Sequence, residues 1–92
     1  MTTTNVTIRQ AILHSADLLK KEITTSGKVV VLDRELGRMD ISDGGAKLIV
    51  RIPKPIINSD NLSIGDNVAV TGILKKEERR TFLEGNRVHR ST

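Results

Sequence analysis

The sequence predicts an all-β domain, a five-stranded barrel of Greek-key order preceded by an N-terminal helix. Short β-branched segments recur between turn residues, two of them flank an Asp-Gly-Gly turn at 43–45, and another follows a Gly-Asp turn at 65–66. Evenly spaced short strands of this kind are typical of small barrels. The 92 residues suffice for one domain, with the helix expected over 7–21 and the barrel over 27–89.

Composition excludes several classes of protein. The chain has no cysteine, which excludes a disulfide framework, a thiolate metal site and a cysteine nucleophile. No apolar run approaches the roughly 18 to 20 residues of a membrane span, and the first residues lack the basic stretch and apolar block of a secretory signal. We therefore expect a cytoplasmic protein that has no membrane partner. Its formal net charge of +4 would assist binding to a polyanion without requiring it.

The N-terminal segment has the spacing of a helix. Apolar residues recur every three or four positions, as on a buried stripe: Ile8, Ile12, Ala16, Leu19 and Ile23. The alternation over 6–12 would also suit a strand, but we favour the helix, with Thr4 or Asn5 as its N-cap. Lys20 and Lys21 would then lie at the negative end of its dipole. We expect the stripe to close one end of the barrel, and a partner-binding helix is the alternative.

The barrel strands are predicted from β-branched residues and alternation. They are expected at 28–34, 38–43, 47–52, 67–74 and 81–89. Residues expected to face the core are Met39, Ile41, Leu48, Val50, Ile52, Val68 and Val70. Residues expected to face water on the second and third strands are Arg38, Asp40, Ser42, Lys47, Ile49 and Arg51.

The connections between these strands follow from the turn residues. Thr24–Gly27 is expected to end the helix and launch the first strand, and 43–45 to form a tight hairpin turn. Residues 54–63 are predicted to form an ordered loop or a single helical turn that covers the barrel base. Gly72 should mark a bulge, and Lys75–Arg80 a charged hairpin loop.

This order of motifs resembles a known family. A G-x-V strand is followed by a strand ending S-D-G-G, a strand ending in proline, a G-D-x-V-x-V-x-G strand, and a basic hairpin that leads into L-x-x-N-R-V. The pattern, from 27 to 88, is similar to OB-fold nucleic-acid-binding domains of the replication protein A type and to small archaeal single-stranded-DNA-binding proteins. Residues 15–88 are also similar to bacterial OB-fold proteins exported to the periplasm, which carry a signal sequence. The resemblance implies a five-stranded Greek-key OB-fold barrel.

The resemblance also implies that single-stranded nucleic acid, DNA slightly ahead of RNA, crosses the outer face of the second and third strands between two loops. The matching positions in this sequence are Arg34, Arg38, Lys47, Ile49, Arg51, Lys75, Lys76, Arg79 and Arg80. Lysine and arginine there would contact phosphates, with an affinity that falls steeply with salt. The alternative is that they keep a small barrel soluble and its edges unpaired.

Aromatic residues, on which single-strand binders usually stack bases, are nearly absent. The chain has no tryptophan or tyrosine and one phenylalanine, Phe82. An outward ring would stack one base and an inward ring would fill the core, and we favour the inward orientation. Binding is then expected to be weak, salt-sensitive and indifferent to sequence.

Two other binding functions stay open. The first is a protein-interaction subunit of an OB-fold assembly, or a homodimer, without direct contact to nucleic acid. Ile49 and the isoleucine pair at 56–57 would form its interface, although a core contact is equally consistent with the pair. The second is a small-ligand or cation binder, which has only Asp40, Asp43 and Asp66 in its favour.

Catalysis finds little support in the sequence. His14 and His89 stand far apart, and no carboxylate cluster has ligand spacing, so we expect no metal site. Ser42 beside an aspartate lacks a histidine at recognisable spacing, and the glycine pair at 44–45 lacks the lysine and helix of a phosphate loop. We expect neither an enzyme nor a cofactor.

Overall fold

A computed structural model describes residues 3–59 and 61–91 as a closed five-stranded barrel. In chain order the elements are β1 (Thr4–Asn5), α1 (Ile8–Leu13), α2 (Ser15–Leu18), β2 (Glu22–Asp33), β3 (Arg38–Asp43), β4 (Ala46–Arg51), α3 (Lys54–Ser59), β5 (Asn67–Glu77) and β6 (Arg80–Ser91). The strands pair in the order β2-β3-β4-β6-β5, and β5 pairs again with β2. This closed arrangement confirms the predicted OB-fold barrel.

The N-terminal helix is shorter than predicted and is broken into α1 and α2 at His14. Its N-cap is Thr7, which forms a capping box with Gln10. Thr4 and Asn5, the predicted caps, instead form β1 and pair in parallel with β2. The prediction of one continuous helix is therefore wrong. The predicted caps are wrong as well, because Thr4 and Asn5 are paired in the sheet.

The first barrel strand starts earlier than predicted. Lys20 has a φ of 65° and its N–H donates to the carbonyl of Leu74 at 2.7 Å, which turns the chain into β2. The helix therefore ends before Lys20 and Lys21, and Thr24–Gly27 lies inside β2, where Thr25 pairs with Val70 of β5. The prediction that Thr24–Gly27 is a connection was wrong because the segment pairs with β5 throughout, and Thr25 is buried in the barrel at 1% exposure.

Both ends of the barrel are covered by short helices. Ile8 and Ala11 of α1 are fully buried at one end. The predicted stripe is wrong beyond Ile8 on the helices, because Ile12 is 40% exposed and Ala16 is exposed as well. Ile57 on α3 and Leu62 after it are fully buried at the other end, and Ile56 is packed partly buried against the core. The isoleucine pair is thus a core contact. No helix among the described residues is both long and apolar enough to cross a membrane.

The inward-facing residues predicted on the strands are confirmed, since each of them is buried. Two predicted turns are confirmed as well. Gly44 and Gly45 have φ values of 58° and 92°, as a two-residue hairpin turn between β3 and β4 requires. The register of β5 and β6 shifts between Thr71 and Gly72, which is the predicted bulge.

The predicted loop over Lys75–Arg80 is wrong. β5 continues to Glu77, β6 begins at Arg80, and only Glu78 and Arg79 form the turn. Glu77 and Arg80 face each other in the ladder, and opposite charges at such a position are favourable. The basic residues of this segment are therefore divided between two strands with defined faces.

Gly72 is predicted to stabilise the fold because β5 and β6 approach each other too closely there for a side chain. A Cβ at this position would overlap the carbonyl oxygen of Glu84 and lie 2.7 Å from the Cα of Gly85. We expect Gly72→Ala to lower the free energy of unfolding by about 2 kcal/mol, as overpacking against backbone does. Urea denaturation measures the change. Gly44→Asn is the control and should have little effect, because asparagine tolerates a positive φ.

Candidate nucleic-acid interface

A groove of about 470 Å³ crosses the outer face of β3, β4 and the start of β6. It is lined by Leu36, Arg38, Ile49, Arg51, Glu77, Glu78, Arg80 and Phe82. The β2–β3 loop and the β5–β6 turn border it, as they border the ligand face of an OB-fold. We call this feature the groove.

The floor of the groove is apolar. Ile49 on β4 is the register partner of Phe82 on β6, and both belong to the outer series of their strands because Val50 and Leu83 face the core. At the rim, Leu36 is 75% exposed. The groove therefore offers an apolar surface between charged walls.

Phe82 faces the groove although it is only 7% exposed. Its ring is covered by Arg51, whose Cζ lies 4.3 Å from the ring centroid. The ring is buried, as an inward orientation would require, but the residue is outside the hydrophobic core cluster. The prediction of a buried ring is confirmed, but the ring lies beneath Arg51 at the groove and not in the core cluster.

Arg38 and Asp40 form a two-bond ion pair beside the floor. The Nε and Nη2 atoms of Arg38 donate to Oδ1 and Oδ2 of Asp40 at 3.1 and 3.2 Å. Asp40 is 2% exposed, so the prediction that it faces water is wrong. Its carboxylate is bound by the Arg38 guanidinium instead of by solvent. Its hydrogen bond, and then its charge, raise the pKa of Arg38. A buried carboxylate needs this partner, so the charge of Arg38 is largely committed to Asp40.

The remaining cations of this face differ in how firmly they are paired. Arg51 Nη1 lies 3.4 Å from Glu77 Oε2, with both side chains more than half exposed. Lys75 Nζ lies 2.5 Å from Glu84 Oε2, also at the surface. Arg80 has no carboxylate oxygen within 4.0 Å among the described residues. Exposed pairs contribute little to stability, so an incoming anion can replace a carboxylate there at small cost.

Only part of the predicted set meets in the groove. Lining it are Arg38, Ile49, Arg51, Arg80 and Phe82, and Lys75 adjoins it as the register partner of Phe82. Lys76, the next residue along β5, points to the opposite side of the strand. Arg79 lies in the turn, and Lys47 lies at the far end of β4 opposite Ser42.

Arg34 serves the fold rather than the groove. Its Nη1 donates to the carbonyl of Ile57 at 2.9 Å, and its Nη2 donates to the carbonyl of Leu62. Both acceptors belong to the segment that closes the barrel end. The arginine therefore ties α3 and the following loop to the end of β2.

Sequence reasoning missed three groove residues, Leu36, Glu77 and Glu78. Interpreting Lys75–Arg80 as a loop hid the two glutamates. Had β5 been extended through this segment, the alternation from Lys75 would have placed Glu77 on the same face.

The three aspartates considered for a cation do not form a site. Asp40 pairs with Arg38, and Asp66 accepts from the Ser63 N–H at 3.0 Å and lies 3.8 Å from Arg90 Nη1. Residues 3–59 and 61–91 contain no group of three or more His, Cys, Asp or Glu side chains that could hold a metal ion.

No protein-family model and no curated protein matches the chain. Solved structures do match. A putative aspartyl-tRNA synthetase from Leishmania major Friedlin aligns with a TM-score of 0.79 and 16% identity, over 95% of this chain and 20% of that one. The chain thus spans about a fifth of that protein's length.

Two other matches cover most of both chains. A replication protein A heterotrimer bound to single-stranded DNA aligns with a TM-score of 0.78 and 20% identity, over 100% of this chain and 83% of that one. The Stn1–Ten1 complex of S. pombe aligns with a TM-score of 0.71 and 10% identity, over 99% and 78%. At these identities the matches establish the fold, and they confirm the resemblance to OB-fold proteins of the replication protein A type.

Arg34 is predicted to affect stability and not binding. Arg34→Ala removes donors from two backbone carbonyls, and we expect the free energy of unfolding to fall by about 1 kcal/mol. Arg79→Ala, in the turn, is the matched control and should leave it unchanged. Thermal denaturation of the two variants measures the difference, and equal midpoints would show that Arg34 does not anchor α3.

Proposed function

We propose that this protein binds single-stranded nucleic acid, DNA slightly ahead of RNA, weakly and without strong sequence preference, in the groove. The observation that carries the proposal is the convergence of Arg38, Arg51 and Arg80 around an apolar floor of Ile49 and Phe82. Cations beside a surface that accepts bases are the two components of a single-strand site. On this proposal the protein is a cytoplasmic binding module and not an enzyme.

The expected affinity for nucleic acid depends on how firmly each groove arginine is already paired with a carboxylate. Arg38 is bound by a buried carboxylate, so it is mainly structural. Arg51 can exchange the exposed Glu77 for a phosphate, and Arg80 is free to bind one. About two phosphate contacts give a slope of log K against log salt near −1.4, since single strands contribute about −0.7 per contact. This slope corresponds to weak binding that salt readily suppresses.

One structurally similar protein supports the proposal that the groove binds single-stranded nucleic acid. The replication protein A heterotrimer, whose structure contains single-stranded DNA, shares the fold over the whole of this chain. In that protein, a barrel of this fold occurs in a complex with single-stranded DNA. For this chain the ligand stays a proposal.

A second candidate is a protein-interaction subunit on the same barrel. Glu77 and Glu78 offset two of the groove arginines, and Leu36 is left exposed at the rim. Balanced charge beside exposed apolar area suits a protein partner or a second copy of the chain. The Stn1–Ten1 structure shows that proteins of this fold occur in protein complexes.

The first test is fluorescence anisotropy with a labelled single-stranded oligonucleotide. Arg80→Ala should weaken binding and make the salt slope shallower by about 0.7, because one phosphate contact is lost. Lys76→Ala removes the same charge from the opposite side of the hairpin and should leave the slope unchanged.

Absence of binding at about 50 mM salt would contradict the proposal, because electrostatic affinity is high at low ionic strength. Equal effects of the two variants would contradict the position of the site. Self-association, or a co-purifying partner, together with no change in the backbone amide spectrum on adding DNA, would favour the protein-interaction subunit.

A further inference from the structure

We infer that Arg51, supported from below by Phe82, forms the surface on which one nucleobase stacks in the groove. The inference rests on the proposed function and supplies the stacking element that the composition lacks. Arg51 Cζ lies over the Phe82 ring at 4.3 Å from its centroid, and the ring retains 7% exposure. The ring itself is therefore covered, whereas the Arg51 side chain is 60% exposed.

A guanidinium group can stack because it is planar and delocalised. The Cζ of Arg51 lies over the phenyl ring, which attracts the cation through its quadrupole. Arginine planes serve as stacking surfaces for bases in nucleic-acid complexes. Arg51 also lines the groove and its side chain is 60% exposed, so a base that enters the groove can lie on it.

Two neighbours border Arg51 and the ring beneath it. Glu77 accepts from Nη1 at 3.4 Å, a contact made at the edge of the guanidinium that leaves its outer side open. Ile49, the register partner of Phe82, lies beside the ring on the groove floor. A lysine in place of Arg51 would keep the charge and lose the plane.

The arrangement also limits what is recognised. Every base has a π-face, so stacking on Arg51 is indifferent to sequence. The chain holds a single Phe and no Trp or Tyr, so there is one supported stack. The protein should therefore distinguish a strand that carries bases from a bare phosphodiester chain, while it does not distinguish one base from another.

The experiment compares a short oligothymidylate with an abasic phosphodiester chain of the same length at low salt. We expect the native protein to prefer the oligothymidylate by about threefold to tenfold, the range for a cation stacked at a partly exposed site. Arg51→Lys should lose this preference, because the charge is kept and the plane is lost. Phe82→Leu should lose it too, because the support beneath the guanidinium is gone. Arg80→Lys, the same change in the same groove without a ring beneath it, should keep the preference.

The outcomes separate the inference from the proposed function. If neither chain binds to the native protein, the proposed function fails. If both bind and Arg51→Lys keeps the preference, the stack is excluded and the function stands. Phe82 has the only phenyl ring, so its ring-proton signals report directly on the site. A shift of those signals on adding oligothymidylate, absent with the abasic chain, supports the stack even if Phe82→Leu fails to fold.

Discussion

The parallel contact between β4 and β6 is the constraint on which both the core and the groove depend. It consists of three register pairs, in which Ile49, Val50 and Arg51 meet Phe82, Leu83 and Glu84. Side chains alternate between the two faces of a strand, so the middle pair seals the core while Ile49, Arg51 and Phe82 of the outer pairs line the groove. A shift of one residue would exchange these faces, which would bury charge and expose the core.

The basic residues divide into those that the fold uses and those that a ligand can reach. Arg34 binds two backbone carbonyls at the barrel end, and Arg38 binds the buried Asp40, so both charges are committed to the structure. Arg51 and Arg80 keep their charges at the surface. Net charge alone therefore overstates what the groove can offer to a polyanion, and the apolar floor with its covered ring has to supply the remainder.

The hairpin of β3 and β4 was predicted correctly from its local pattern. β3 occupies the predicted residues, and the glycine turn at 44–45 joins it to β4 as expected, because a two-residue hairpin is specified by its own turn residues. One error has a distant partner, because Thr24–Gly27 resembles a connection by composition and yet pairs with β5. The other error is local, because the charged residues at 75–80 resemble a loop although they pair with β6 across a two-residue turn.

Alternation and turn chemistry act over a few residues, so they predict a small Greek-key barrel with a helix before it and the inward-facing side chains of its central strands. The fold is what brings the cations of the groove together, and it places Arg51 over Phe82. Arg51 and Glu77 are 26 positions apart, and their meeting depends on the closing of the barrel. Long-range strand pairing and ion pairing have no local signature, so the covered ring and the committed charges became visible only in the fold.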